Sequence, residues 1–150
     1  MKKIALAALL LGVLILTGCS TLSPQEKQAF HSLESHGITV DKPAGYWEKP
    51  ASLWGAGLLN LLPGCGNFYL ATGNAADSEH VVLGVVNMFT WPISILWGIP
   101  EAAIDADNIN KRALINYYTY EITGEQALAE RGLVMNKRGM VEKKYALLEG

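Results

Sequence analysis

The residues of this 150-residue chain that could do chemistry are two thiols, Cys19 and Cys65, three histidines, His31, His36 and His80, and the acids Glu101, Asp105 and Asp107. Their spacing excludes most of the chemistry they suggest. His31 and His36 lie five apart, so they do not share a helix face as i,i+4 zinc ligands would, and they read as solvated. Asp105-Ala106-Asp107-Asn108-Ile109-Asn110 starts like a calcium loop. It fails at the fifth position (Ile109), at the sixth, where Gly is needed (Asn110), and at the twelfth, where Asn116 replaces Glu. These residues read instead as the polar face of a helix, on which Glu101 and Asp105 share a side. Gly64 and Gly66 lack the G-x-x-x-x-G-K-[ST] frame of a phosphate loop and read as structural. There is no serine in a nucleophile-elbow context and no H-E-x-x-H. The expectation is a protein that is not an enzyme, with no catalytic, cofactor-binding or metal-binding residue, and with Cys19 as the one reactive position.

Cys19 follows Met1-Lys2-Lys3, a basic start, and Ile4–Leu16, an apolar run. As a helix that run reaches roughly 20 Å at about 1.5 Å per residue, against a hydrocarbon core of about 30 Å. It therefore reads as a secretory signal and not as a span. Leu16-Thr17-Gly18-Cys19 resembles the lipobox of bacterial lipoproteins. That resemblance implies that the Cys19 thiol takes a diacylglycerol, that residues 1–18 are cut away, and that the new amino group is acylated by a fatty acid such as palmitate. Several acyl chains anchor stably where one does not, each buried CH₂ contributing about 0.8 kcal/mol. Gram-negative lipoproteins held in the inner membrane commonly carry Asp after the cysteine. Ser20 stands there, which implies a periplasm-facing anchor in the outer membrane, with the inner membrane as the alternative.

The formal net charge of −2 becomes −4 once Lys2 and Lys3 leave with the signal, so no basic face invites nucleic acid. Cys65 is then without a partner thiol in the chain and is expected to be buried and inert.

Ser23-Pro24-Gln25-Glu26 reads as a helix start, with Ser23 at N-cap, Pro24 at N1 and Glu26 closing a capping box. Ala29, Phe30 and Leu33 would share a face, and Gly37 would stop the helix. Lys42–Pro50 is a Pro/Gly-punctuated connector within the 19–50 segment. Its Tyr46 and Trp47 suit either a membrane interface or the rim of a soluble core.

The centre, Ala51–Ile99, has Asp77 and Glu79 as its only formal charges. It reads as an apolar helical hairpin, Ala51–Ala76 and Val81–Ile99, joined by the polar link Asp77-Ser78-Glu79-His80. Gly55, Ala56 and Gly57 permit close approach by a neighbouring helix. Pro63 breaks the first segment and Pro92 kinks the second. Pro63-Gly64-Cys65-Gly66-Asn67-Phe68-Tyr69-Leu70 resembles the P-G-x-G-x-F-Y-x-G pattern of small bacterial two-helix membrane hairpin proteins, with Ala71 in place of the closing glycine. The resemblance implies a membrane hairpin and no activity. The link carries two acids, whereas Lys111 and Arg112 would remain periplasmic. That opposes the positive-inside rule for a spanning pair.

In the 100–150 segment, Pro100 at N1 would open a helix running to Thr123 and stopped by Gly124. Ala102, Ala106, Ile109, Ala113, Tyr117 and Tyr120 would form its apolar stripe, widened by Ile104, Ile115, Tyr118 and Ile122. A short helix, Glu125–Arg131, two short strands around an Asn136-to-Gly139 turn, and a helical tail, Glu142–Gly150, follow. The fold expected is mainly α: a small helical domain around an apolar hairpin, with a short C-terminal β-hairpin. The function expected is that of a membrane-anchored envelope lipoprotein with a structural or interaction role. Its partners would be membrane lipid through Cys19 and an envelope protein or a second copy. The alternatives are a carrier of lipid or small hydrophobic ligands and a two-span membrane protein.

Overall fold

The structure is a computed structural model that describes residues 21–72 and 79–144. It is mainly helical, with a small antiparallel sheet near the C-terminus. In chain order the elements are α1 (Pro24–Ser35), α2 (Leu53–Leu59), α3 (Cys65–Thr72), α4 (Glu79–Phe89), α5 (Ile95–Tyr120), α6 (Ile122–Glu130), β1 (Leu133–Met135) and β2 (Val141–Lys143). They group into two compact units, one containing Ala51–Asp107 and the other Leu22–Pro50 with the chain from Asn108 onward. Cys19, Ser20 and the signal segment lie outside the described residues, as do Asp77, Ser78 and the tail from Tyr145.

The second unit is organised as water dictates. Ser23 caps α1 through the expected capping box: the Glu26 N–H donates to the Ser23 hydroxyl at 3.2 Å, and the Ser23 N–H to the Glu26 carboxylate at 2.7 Å. That fixes the helix so that Ala29, Phe30 and Leu33 face inward, where they meet Ile38, Leu114, Tyr118, Leu128, Leu133 and Val141. The buried Tyr118 hydroxyl accepts from the Ala44 N–H at 2.6 Å and donates to the Ala44 carbonyl at 2.9 Å, tying the connector to α5. Gly45 follows with φ +72°, and a Cβ there would lie 2.7 Å from that of Ala127. Only glycine suits both the conformation and the space. Trp47 packs against this core, the rim position considered for it, while Tyr46 is fully exposed. Strands β1 and β2 pair antiparallel, with Met135 opposite Val141. Their turn is held by the Asn136 side-chain oxygen, which accepts from the N–H groups of Arg138 and Met140.

In the Ala51–Asp107 unit the helices are short, and among the described residues none is long and apolar enough to cross a membrane. Pro63 does break the first segment: α2 ends at Leu59, and Gly64 turns the chain into α3 at φ +68°. Close backbone approaches hold the unit together. A Cβ on Gly64 would lie 2.1 Å from the Gly84 carbonyl, and one on Gly66 2.1 Å from the Ala56 carbonyl. Gly57 similarly meets Ile99 of α5, whereas Gly55 meets only Ser52 of its own turn.

Four expectations about the elements need correction. Pro92 separates two helices instead of kinking one, since residues 90–94 form turns between α4 and α5. Helix α5 opens at Ile95 and contains Pro100, because the Ser94 carbonyl already accepts from Gly98 at 2.7 Å and the proline forfeits only the bond to Leu96. The helix then stops at Tyr120, three residues before the expected end, and α6 takes Ile122 and Gly124. Finally, Glu142 and Lys143 belong to β2 and not to a helical tail.

Candidate functional site

The site with most chemistry in it is the interior of the Ala51–Asp107 unit. Asn60, Asn67, His80, Asn87, Ser94, Glu101 and Asp105 are all buried there. Asn60 stitches three elements: its side-chain oxygen accepts from the Gly66 N–H at 2.9 Å, and its amide donates to Asn67 Oδ1 at 2.9 Å and to the Gly98 carbonyl at 2.6 Å. Asn87 is the second junction. Its amide donates to the same Asn67 oxygen at 2.8 Å, its own oxygen accepts from Trp97 Nε1 at 2.9 Å, and its carbonyl accepts from the Ser94 hydroxyl at 2.8 Å. Asn67 Nδ2 finds no partner in this network.

The ionisable groups lie beside it. His80 Nδ1 is 3.6 Å from Asp105 Oδ2, with side chains 1% and 0% exposed. Glu101 sits one turn before Asp105 on α5 and near the Asn87 amide, but among the described residues neither of its oxygens has a partner at hydrogen-bond distance and angle. Burial pushes its pKa up to about 6; Asn87 opposes that rise and the negative Asp105 adds to it. No Lys or Arg occurs between Ala51 and Asp107 to offset these acids.

The outside of the unit is apolar. Trp54 and Leu96 are each 81% exposed, and Leu58, Leu61, Leu62, Val82, Phe89, Trp91, Ile93 and Ile104 are also exposed. Of the seventeen large hydrophobic side chains exposed among the described residues, fourteen belong to this unit, as do seven of the nine buried polar ones. The polarity of an ordinary water-soluble domain is reversed here.

Sequence reasoning placed Glu101 and Asp105 on one face of a helix, and they do share one, but it points inward and is not the solvated polar face expected. His80, assigned to the polar link, is instead a buried residue of α4. Cys65 is half-buried, not fully buried, its thiol directed at the Pro63 carbonyl at 3.8 Å. His31 is exposed beside Glu34, as its solvated reading requires. The asparagines were missed. Their signal was present: amide side chains embedded in otherwise apolar helices must find partners or lose stability. Comparison with models of known families, with curated proteins and with solved structures finds no match to this chain.

Proposed function

We propose that this chain is a membrane-anchored lipoprotein of the cell envelope with a structural or interaction role, held by lipid on Cys19, its Ala51–Asp107 unit resting in one leaflet without crossing. The single observation behind this reading is the reversed polarity of that unit. A protein partner covers one face, but exposed apolar side chains come from α2, from the turns on either side of Pro63 and Pro92, from α4 and from α5. Lipid is the surrounding that contacts all of them. Helices packed through glycine and joined by interior amides are what a bilayer favours, because there apolar surfaces give no drive to associate. Carriage of a hydrophobic ligand is less well supported, since amide and carboxyl groups fill the interior a ligand would need. Ser20 supports the outer membrane as the location.

Three measurements test this. Cys19→Ser should abolish labelling by a fatty-acid analogue and leave the precursor uncut, and unchanged labelling would defeat the lipoprotein reading. The mature chain from Ser20 onward, made without signal or lipid, should still float with vesicles of phosphatidylethanolamine and phosphatidylglycerol, and Leu58, Leu62, Phe89 and Leu96 replaced together by serine should abolish flotation. A signal-free, lipid-free chain that stays in the aqueous fraction would show that its apolar surface belongs to a protein partner. Fractionation of the wild type should place it with outer-membrane markers; recovery in the inner membrane would overturn the location.

A further inference from the structure

The acids of the polar core raise a question of charge. Glu101 and Asp105 lie one turn apart on α5, out of water, and α4 brings His80 to Asp105. The other elements packed in this unit offer neutral groups to the core: α2 ends in Asn60, α3 presents Asn67, and α4 adds Asn87. His80 faces one acid, Asp105. The second has no Lys or Arg anywhere in Ala51–Asp107 to meet it, and a lone carboxylate away from water is among the costliest groups to bury. Among the described residues neither Glu101 oxygen has a hydrogen-bond partner, although the residue is more than nine-tenths buried, so the carboxyl does not have there the set of donors that stabilises an ionised acid.

We propose that Glu101, with Asp105 and His80 beside it, is a reversible proton-binding site: one proton from solvent binds the Glu101 carboxylate, removes one negative charge from the core, and is released again as the medium passes from acid to neutral. The balance is simple, with one O–H bond formed and no other bond changed. The upward displacement of Glu101 to about 6 agrees with this geometry. The negative Asp105, one turn away, adds to the same upward displacement. The site depends on the interior of the unit alone and stands whether lipid or a protein covers the outside.

Carbon-13 NMR of the full chain labelled at the glutamate carboxyl carbon tests the site without any substitution. One glutamate resonance should titrate well above the others, with its midpoint near pH 6, and Glu101→Gln should remove that resonance alone. In parallel, the thermal midpoint of the Ala51–Asp107 unit, followed by tryptophan emission, should fall from pH 5 to pH 7.5 in the wild type and stay level in Glu101→Gln. If every glutamate titrates below pH 5, or if the high-titrating resonance survives Glu101→Gln, the site is not there. A variant that fails to fold leaves the wild-type titration to decide.

Discussion

The two units of this chain are small helical assemblies of similar size, built with opposite insides. Around Leu33, Tyr118 and Leu128 the interior is aliphatic and aromatic, and its few polar atoms, such as the Tyr118 hydroxyl, are individually matched. Around Asn60, Asn67 and Asn87 the interior is amide and carboxyl, and leucine, valine and tryptophan stand outside. In water the first arrangement is held by burial, at about 25 cal/mol per Å² of apolar surface removed. The second buries little of its large apolar surface and relies on close backbone approach and on hydrogen bonds that strengthen in a medium of low dielectric. The difference is one of construction: one unit folds by hiding its apolar residues, and the other leaves them on its surface.

Substitutions that break packing should have the largest effects, one in each unit. Gly64→Ala places a methyl 2.1 Å from the Gly84 carbonyl at φ +68°, and should destabilise the Ala51–Asp107 unit by about 3 kcal/mol or more. Leu33→Ala should cost the other unit about 3 kcal/mol through its cavity. Denaturant unfolding followed separately by Trp47 and by Trp54, Trp91 and Trp97, each in single-tryptophan variants, should report the two losses on different probes. A single shared transition for both variants would mean that the units do not unfold independently.

Next is the amide junction. Asn87→Ala strands the Trp97 N–H and removes one of two donors to Asn67, and should cost about 2 kcal/mol. The exposed Leu62→Ala should barely change unfolding. In vesicle partitioning it should instead lose about 2 kcal/mol, three carbons at about 0.8 kcal/mol each. If Leu62→Ala instead behaves like Leu33→Ala in unfolding, the contrast between the units is lost.

The smallest effect concerns the water-built unit. Burial pushes Glu26 up, but bonds from the Ser23 N–H and hydroxyl and from Arg112 Nε, 2.8 Å away, outweigh it and hold the carboxyl below its ordinary value. A carboxyl lowered by folding stabilises above its unfolded pKa, and that contribution fades as pH falls through the folded one. Acid unfolding followed by Trp47 should therefore come at higher pH in Arg112→Gln. Ser23→Ala should cost about 1 kcal/mol near neutrality.

How much of this was legible depends on the range of the signal. The α1 capping box, the Gly37 stop, the break at Pro63 and the Asn136-to-Gly139 turn each depend on residues within four positions of one another, so the sequence text contains them. The inward orientation of Asp105 depends on His80, 25 positions earlier, and read alone an acid on an amphipathic helix belongs to the solvated side. The start of α5 was misplaced because proline at N1 is so well suited to opening a helix that the turn already formed by Ser94 went unconsidered. The apolar stripe is mixed for a similar reason: Ala102, Ala106, Ile109 and Tyr117 face inward, whereas Ile104, Tyr120 and Ile122 do not.

The absence of basic residues between Ala51 and Asp107 also decides how this protein is seen in an experiment that has nothing to do with folding. Trypsin cuts after Lys and Arg but is hindered when proline follows. Lys42 and Lys49 precede Pro43 and Pro50, and the next site after them is Lys111. Complete digestion therefore leaves one strongly apolar fragment from Gln28 to Lys111 that carries the whole polar core, while the short peptides that ionise well all come from its flanks. Peptide mass spectrometry of tryptic digests will register the protein through the unit built for water and pass over the other, unless a protease that cuts at leucine or tryptophan is used.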